Sequence, residues 1–175
     1  MLTRTLVSRD PAEAGHAARV TALAVRLAEA IGVAEERIRA IRLGGPLHDI
    51  GKLALDRSLL QKAGPLDGDE LEEIRTHPLR GVELVDGDDV APEALDCILH
   101  HHERWDGRGY PDGLAGDQIP VEARILAVAD AYDAMTSRRP YREALTHDEA
   151  IRELERNAGS QFDPLLAEAF VALQR

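Results

Sequence analysis

The chain has 175 residues, 44% of them hydrophobic and 3% aromatic, with a formal net charge of -11. This length fits one domain, and the acidic balance argues against the basic surface that a nucleic-acid polymer requires. A core this poor in aromatics must be built from Leu, Ile, Val and Ala, which favours helices over a sheet sandwich. Cys97 is the sole cysteine, so there is no disulfide framework and a reducing cytoplasm fits; Cys97 itself reads as a small buried apolar residue. No run of about 18 apolar residues marks a membrane span, and Met1 to Asp10 lacks the apolar centre of a signal peptide.

In chain order, Asp10 reads as a helix N-cap, with Pro11 at the first helical position and Glu13 completing a capping box. Val20, Leu23, Ala24, Leu27, Ala28 and Ile31 follow at helical spacing, Gly32 ends the helix, and His16 lies in its second turn near the apolar face. A second helix starts near Ala34, buries Ile38, Ile41 and Leu47, and carries His48 and Asp49, with a kink or break at Gly44-Gly45-Pro46. Leu53 to Asp67 reads as an irregular connection punctuated by Gly64-Pro65. Helices are predicted over Asp69 to Thr76, ending near His77-Pro78, then over Leu79 to Val85 and Pro92 to His102. The glycine-rich stretch from Glu103 to Gln118 reads as a loop with special backbone angles. Pro120 to Ser137 is predicted as a long helix, Arg138 to Thr146 as a basic connection, and Asp148 to Asn157 and Pro164 to Leu173 as the closing helices. With no strand of useful length, no repeat and no low-complexity segment, the chain reads as one all-α helical-bundle domain.

Imidazole and carboxylate are the usual ligands of transition metals, and they cluster at His48-Asp49 and along His100-His101-His102. Neighbouring residues on a helix point about 100° apart. His48 and Asp49 therefore cannot easily chelate one ion together, but they can serve two ions side by side, with Asp49 reaching both. The His101-His102 pair has the same geometry and could send one imidazole to each ion. Ions about 3.5–4 Å apart, as in two-metal phosphoesterase sites, suit this arrangement. Lys52, four residues after His48, shares its face and could grip a phosphate oxygen. Asp130 and Asp133 are three apart on the long helix and could face one side; Asp130 follows an apolar stretch, where a buried carboxylate needs a partner or a metal. His16 and His77 supply two more imidazoles, and His100 reads as a supporting or surface residue. Taken singly, each of these signals has a bland reading as a core histidine, a chance dipeptide or a solvated helix end. Together they point to a metal centre.

The ordered series His48-Asp49-Ile50-Gly51-Lys52, His101-His102-Glu103 through Gly107, Gly109-Tyr110-Pro111, Ile119-Pro120, Ala123-Arg124-Ile125, Ala129-Asp130, Thr136 through Arg142 and Phe162-Asp163-Pro164 resembles the HD-GYP domain, a branch of the HD metal-dependent phosphohydrolases. The resemblance spans Arg9 to Leu173. It implies a catalytic domain over residues 9–175, with residues 1–8 as an N-terminal extension or the end of a linker helix. It further implies a cyclic di-GMP phosphodiesterase whose metal ligands are His16, His48, Asp49, His77, His101, His102 and Asp130. Asp49 and Lys52 are the expected catalytic residues, with Lys52 also contacting the scissile phosphate. Tyr110, Arg139 and Arg142 are expected to hold the guanine and phosphate parts of the ligand.

The expected cofactor is two divalent transition-metal ions. The nitrogen-rich ligand set suits iron, manganese, cobalt, nickel or zinc over magnesium or calcium, and the resemblance tilts this toward iron or manganese. Such ions would lower the pKa of a bridging water, make hydroxide the nucleophile, and hold the phosphate oxygens as charge builds. Members of the family with three metals carry a glutamate four residues before the first histidine. Ala12 stands at that position, so two ions are expected and pGpG is the expected product, with GMP left open. A non-catalytic cyclic di-GMP receptor and an HD hydrolase of another nucleotide are the alternatives. The resemblance leaves room for an upstream sensor domain and for a homodimer contact through residues 1–8.

Overall fold

The computed structural model describes residues 11–62, 64–86, 90–137 and 143–175. Nine α-helices lie among these residues: α1 (Pro11–Ala30), α2 (Glu35–Gly44), α3 (Arg57–Leu60), α4 (Gly68–Arg75), α5 (His77–Val85), α6 (Pro92–His100), α7 (Val121–Thr136), α8 (His147–Asn157) and α9 (Pro164–Gln174). Two 3₁₀ segments, Gly45–Leu47 and Ile50–Ala54, join α2 to α3, and a third covers Gly116–Gln118. No strand forms among the described residues; the only pairings are isolated bridges between Asp106 and Ala115 and between Ala158 and Phe162. The all-α expectation holds.

Two apolar clusters organise the bundle. The larger packs Val20, Ala24 and Leu27 of α1 against Ile125, Leu126 and Ala129 of α7, and is closed by Leu154 of α8 and Phe170 of α9. Burying a side chain such as Leu27 or Phe170 contributes roughly 1.5–3 kcal/mol, so α1 and α7 are fixed against each other along their length. The smaller cluster joins Ile50, Val85 and Ile98. It holds the second 3₁₀ segment, α5 and α6 together; His77 opens α5 and His101 follows the end of α6. Asp67 with Glu70 and Thr146 with Glu149 form capping boxes at the starts of α4 and α8, while Asp163 caps α9.

Several boundaries differ from expectation in ways that matter to the site. The break at Gly44-Gly45-Pro46 is real, but the chain does not resume as an α-helix. His48 and Asp49 sit in a turn between two 3₁₀ segments, freed from the 100° spacing of a regular helix. The connection from Leu53 to Asp67 contains the short helix α3, whose N-cap Asp56 accepts the Ser58 amide hydrogen. His77 opens α5 instead of closing the preceding helix, and α6 stops at His100, leaving His101 and His102 in the turn beyond it. Asp10, the expected N-cap, lies outside the described residues.

Candidate metal centre

Gly51 explains how the His48-Asp49 turn comes so near α5. A Cβ at Gly51 would lie 1.9 Å from the His77 carbonyl oxygen and 2.6 Å from the Gly81 nitrogen, so the 3₁₀ segment and α5 touch main chain to main chain. This contact presents His77 to Asp49. Gly109 plays the same part for the loop: its Cβ would lie 2.4 Å from the Arg104 nitrogen and 2.5 Å from the Glu103 Cα. The chain can therefore fold back and bring Tyr110 over His102, ring centroids 4.9 Å apart and planes 25° from parallel.

At the centre stands Asp49, buried at 4% exposure. Its Oδ1 lies 3.1 Å from His77 Nε2 and 3.7 Å from His101 Nε2. Its Oδ2 lies 3.3 Å from His48 Nε2 and 2.5 Å from the Lys52 ammonium. The donors form two groups that share this carboxylate: His16, His48 and Asp49 on one side, and Asp49, His77, His101 and His102 on the other. Asp130 joins the first side, its Oδ1 3.0 Å from His16 Nε2. The expectation that Asp49 faces two ions fits this geometry. The expectation that His101 and His102 serve one ion each does not, because both fall in the same donor group; the helix ends before them, and the turn aims both rings to one side.

The imidazoles are oriented alike. Nδ1 of His48, His77 and His101 each lies 2.8–2.9 Å from the carbonyl oxygen three residues earlier, on Gly45, Ile74 and Ile98. With the proton on Nδ1 these nitrogens donate backwards, and Nε2 is left bare and aimed at Asp49, the tautomer that metal ligation requires. His16 is held differently: its Nδ1 lies 2.7 Å from Asp133 Oδ2. Asp133 is in turn gripped by Arg19, whose Nε donates to Oδ1 at 2.7 Å and Nη2 to Oδ2 at 2.9 Å.

Charge follows the same division. Burial disfavours a proton on His16, but its bonds to Asp130 and Asp133 outweigh that and raise it to about 9. His48 is raised despite burial by the Asp49 carboxylate. On the other side, burial lowers His101, and burial together with neighbouring imidazoles holds His102 well below its usual range. Burial opposes ionisation of Asp49, yet Lys52 and His48 hold it well below the usual carboxylate range. Burial also pushes the Tyr110 phenol up to about 12, so it stays a hydrogen-bond donor. His48 Nε2 and Asp49 Oδ1 are buried with no hydrogen-bond partner. Buried ligand atoms left without partners in one cluster are what a pair of cations would satisfy, so these residues fit the expected ions.

Lys52 bonds Glu13 as well as Asp49, at 2.9 Å from Glu13 Oε1. The carboxylate of Glu13 stands beside the metal centre on the first turn of α1; the expected capping box with Asp10 involves a residue outside the described ones. Arg139 and Arg142 lie outside the described residues. Residue identity and spacing do not announce the roles of Arg19 and of the three carbonyl oxygens, nor that of Arg75, whose guanidinium carbon lies 5.6 Å from the Tyr110 ring centroid. The backbone acceptors leave no trace in residue identity.

The profile of the HD domain family matches residues 1–166. The chain is 44% identical, over 97% of its length and 46% of the relative's, to the cyclic di-GMP phosphodiesterase response regulator RpfG of Xanthomonas campestris pv. campestris (strain 8004). It is 37% identical, over 95% of its length and 32% of the relative's, to the 3'3'-cGAMP-specific phosphodiesterase 2 of Vibrio cholerae serotype O1. Among solved structures, Bd1817, a HDG"Y"P protein from Bdellovibrio bacteriovorus, matches with a TM-score of 0.75 at 22% identity, covering 94% of this chain and 53% of that one; at that identity the likeness concerns the fold. The chain spans less than half the length of these two curated relatives. It belongs to the HD domain family, and its His-Asp and Gly-Tyr-Pro motifs are those of the HD-GYP branch.

Proposed function

We propose that this chain hydrolyses a phosphodiester bond of cyclic di-GMP at two divalent transition-metal ions. The observation that carries the reading is the shared Asp49 carboxylate, with Oδ1 toward His77 and His101 and Oδ2 toward His48. His16, His48, Asp49 and Asp130 would hold one ion, and Asp49, His77, His101 and His102 the other. When bound, the ions supply an acidified water and charge stabilisation for the phosphoryl oxygens. The chain's own part is to orient the imidazoles through Nδ1, to place the Lys52 ammonium where it meets a non-bridging oxygen, and to set the Tyr110 hydroxyl above the centre as a donor. Arg139 and Arg142 are assigned to the ligand on their motif alone. Curated relatives named for cyclic di-GMP hydrolysis support the substrate.

Iron or manganese is the preferred metal, for a donor set rich in nitrogen. The pairing of Glu13 with Lys52 and the alanine at position 12 favour two ions over three, and hence pGpG as product. The same reading takes residues 9–175 as the catalytic domain and residues 1–8 as an extension through which two copies meet. It also takes the chain as cytoplasmic. Among the described residues no helix is long and apolar enough to cross a membrane.

The test is turnover of cyclic di-GMP by anaerobically purified protein loaded with iron or manganese, with products separated by chromatography. Linearisation that Asp49→Ala abolishes is the expected result; no turnover across a full metal panel overturns it, and tight binding without turnover makes the chain a receptor. A second reading, cyclic GMP-AMP as substrate, is favoured by the Vibrio cholerae relative. Rates on the two cyclic dinucleotides, compared side by side, decide between them.

A further inference from the structure

We propose that His100, Glu103 and Asp112 form a separate site for one divalent transition-metal ion, which ties the Tyr110 loop to the end of α6. These three residues are outside both donor groups that meet at Asp49, and their ligand atoms form a third group of their own. His100 Nδ1 lies 3.9 Å from Glu103 Oε1 and 3.8 Å from Asp112 Oδ2. Both separations are too long for hydrogen bonds. They are near what two donors adopt around one ion: ligand atoms about 2.1 Å from a tetrahedral ion stand roughly 3.4 Å apart, so closure needs only a few tenths of an ångström.

Burial makes the arrangement hard to explain without a cation. The His100 side chain is 10% exposed and that of Glu103 is 0%. His100 Nδ1 and Glu103 Oε2 are both buried with no hydrogen-bond partner. Glu103 Oε1 accepts one hydrogen bond, from the Asp112 amide at 2.8 Å, and among the described residues no lysine or arginine pairs with Glu103. A buried carboxylate so placed wants a positive charge. The C-terminal end of α6, where the Glu103 amide donates to the His100 carbonyl oxygen at 3.0 Å, adds its own partial negative charge. Asp112 is 54% exposed on its side chain, which leaves a path for the ion and room for water to complete its coordination. One nitrogen and two carboxylates suit zinc, manganese, cobalt or iron.

The position gives the site a task. Asp112 is two residues beyond Tyr110, and His100 is two residues before His102, the ring on which Tyr110 stacks. An ion spanning His100 and Asp112 therefore holds the two ends of that stack together without touching the Asp49 centre.

Equilibrium dialysis of the whole chain against micromolar Zn²⁺, followed by zinc counting with plasma mass spectrometry, tests this. Wild type is expected to hold one zinc per chain more than Asp112→Asn and one more than His100→Gln. Zinc is also expected to slow hydrogen exchange of the amides at 104–116 in wild type but not in Asp112→Asn, a half-exposed and mild change whose melting curve reports an intact fold. Equal zinc counts in the three chains overturn the proposal.

Discussion

The two sides of the Asp49 centre are built from similar ligands by opposite means. On the α1 and α7 side, His16 is clamped between two carboxylates and carries a proton at neutral pH, and Asp133 is itself gripped by Arg19. On the α5 and α6 side, His77 and His101 lean on main-chain carbonyls, and His101 and His102 are pushed toward neutrality. His16 must shed a proton to take a metal, whereas burial already favours the ligating form of His101 and His102. Metal affinity is then set by pH on one side and by packing on the other.

The largest test removes what the sides have in common. Asp49→Ala should abolish hydrolysis, a loss on the order of 10³-fold or more, and remove both ions in metal analysis; retention of one full equivalent would show that the sides do not share this ligand. Gly51→Ala should act first on the α5 side. Its Cβ would meet the His77 carbonyl at 1.9 Å, so the segment must shift, at a cost of about 1–3 kcal/mol seen as a lower Tm and a weaker ion at His77. Asp133→Asn should act on the other side, weakening one ion by about 10–100-fold in a metal titration while the second ion keeps its affinity. Equal weakening of both would erase the distinction.

The smallest effect is a pH dependence of the metal-free chain. His16 is raised from 6.5 to about 9, so its pairing contributes fully below pH 6.5 and is lost as pH rises through 9. Asp133 is depressed from 3.8 to about 2 by His16 and Arg19, against the effect of burial, so its share is present above pH 3.8 and fades below. The metal-free Tm should therefore fall between pH 6.5 and 9. With ions bound His16 is a neutral ligand and that fall should vanish, which differential scanning calorimetry would record.

Much of the fold was legible because the long helices α1 and α7 follow the 3.6-residue period and end at Gly32 and near Ser137. The site was legible in its residues more than in its geometry. His48-Asp49 and His101-His102 were read on regular helices, and both pairs sit in turns instead. Helix ends are set by tertiary contacts such as Gly51 against α5, which periodicity does not register. Asp133 could be placed beside Asp130 from their spacing, but Arg19 is 114 residues from its partner and nothing local announces it. The contact of Glu13 with Lys52 joins residues 39 apart, and nothing local announces it either.

The backward hydrogen bonds of His48, His77 and His101 have an evolutionary corollary. Each ring takes its aim from a carbonyl three positions upstream, an atom that every amino acid supplies. The half-buried Ile74 can thus be exchanged for other residues that keep the local backbone, and the His77 imidazole still points inward, whereas Gly45 and Ile98 are fixed by their packing against Thr21 and within the Ile50 cluster. His16 takes its aim from side chains instead, and depends on Asp133 and Arg19 persisting together. Drift across distant descendants should therefore erode the support of His16 first.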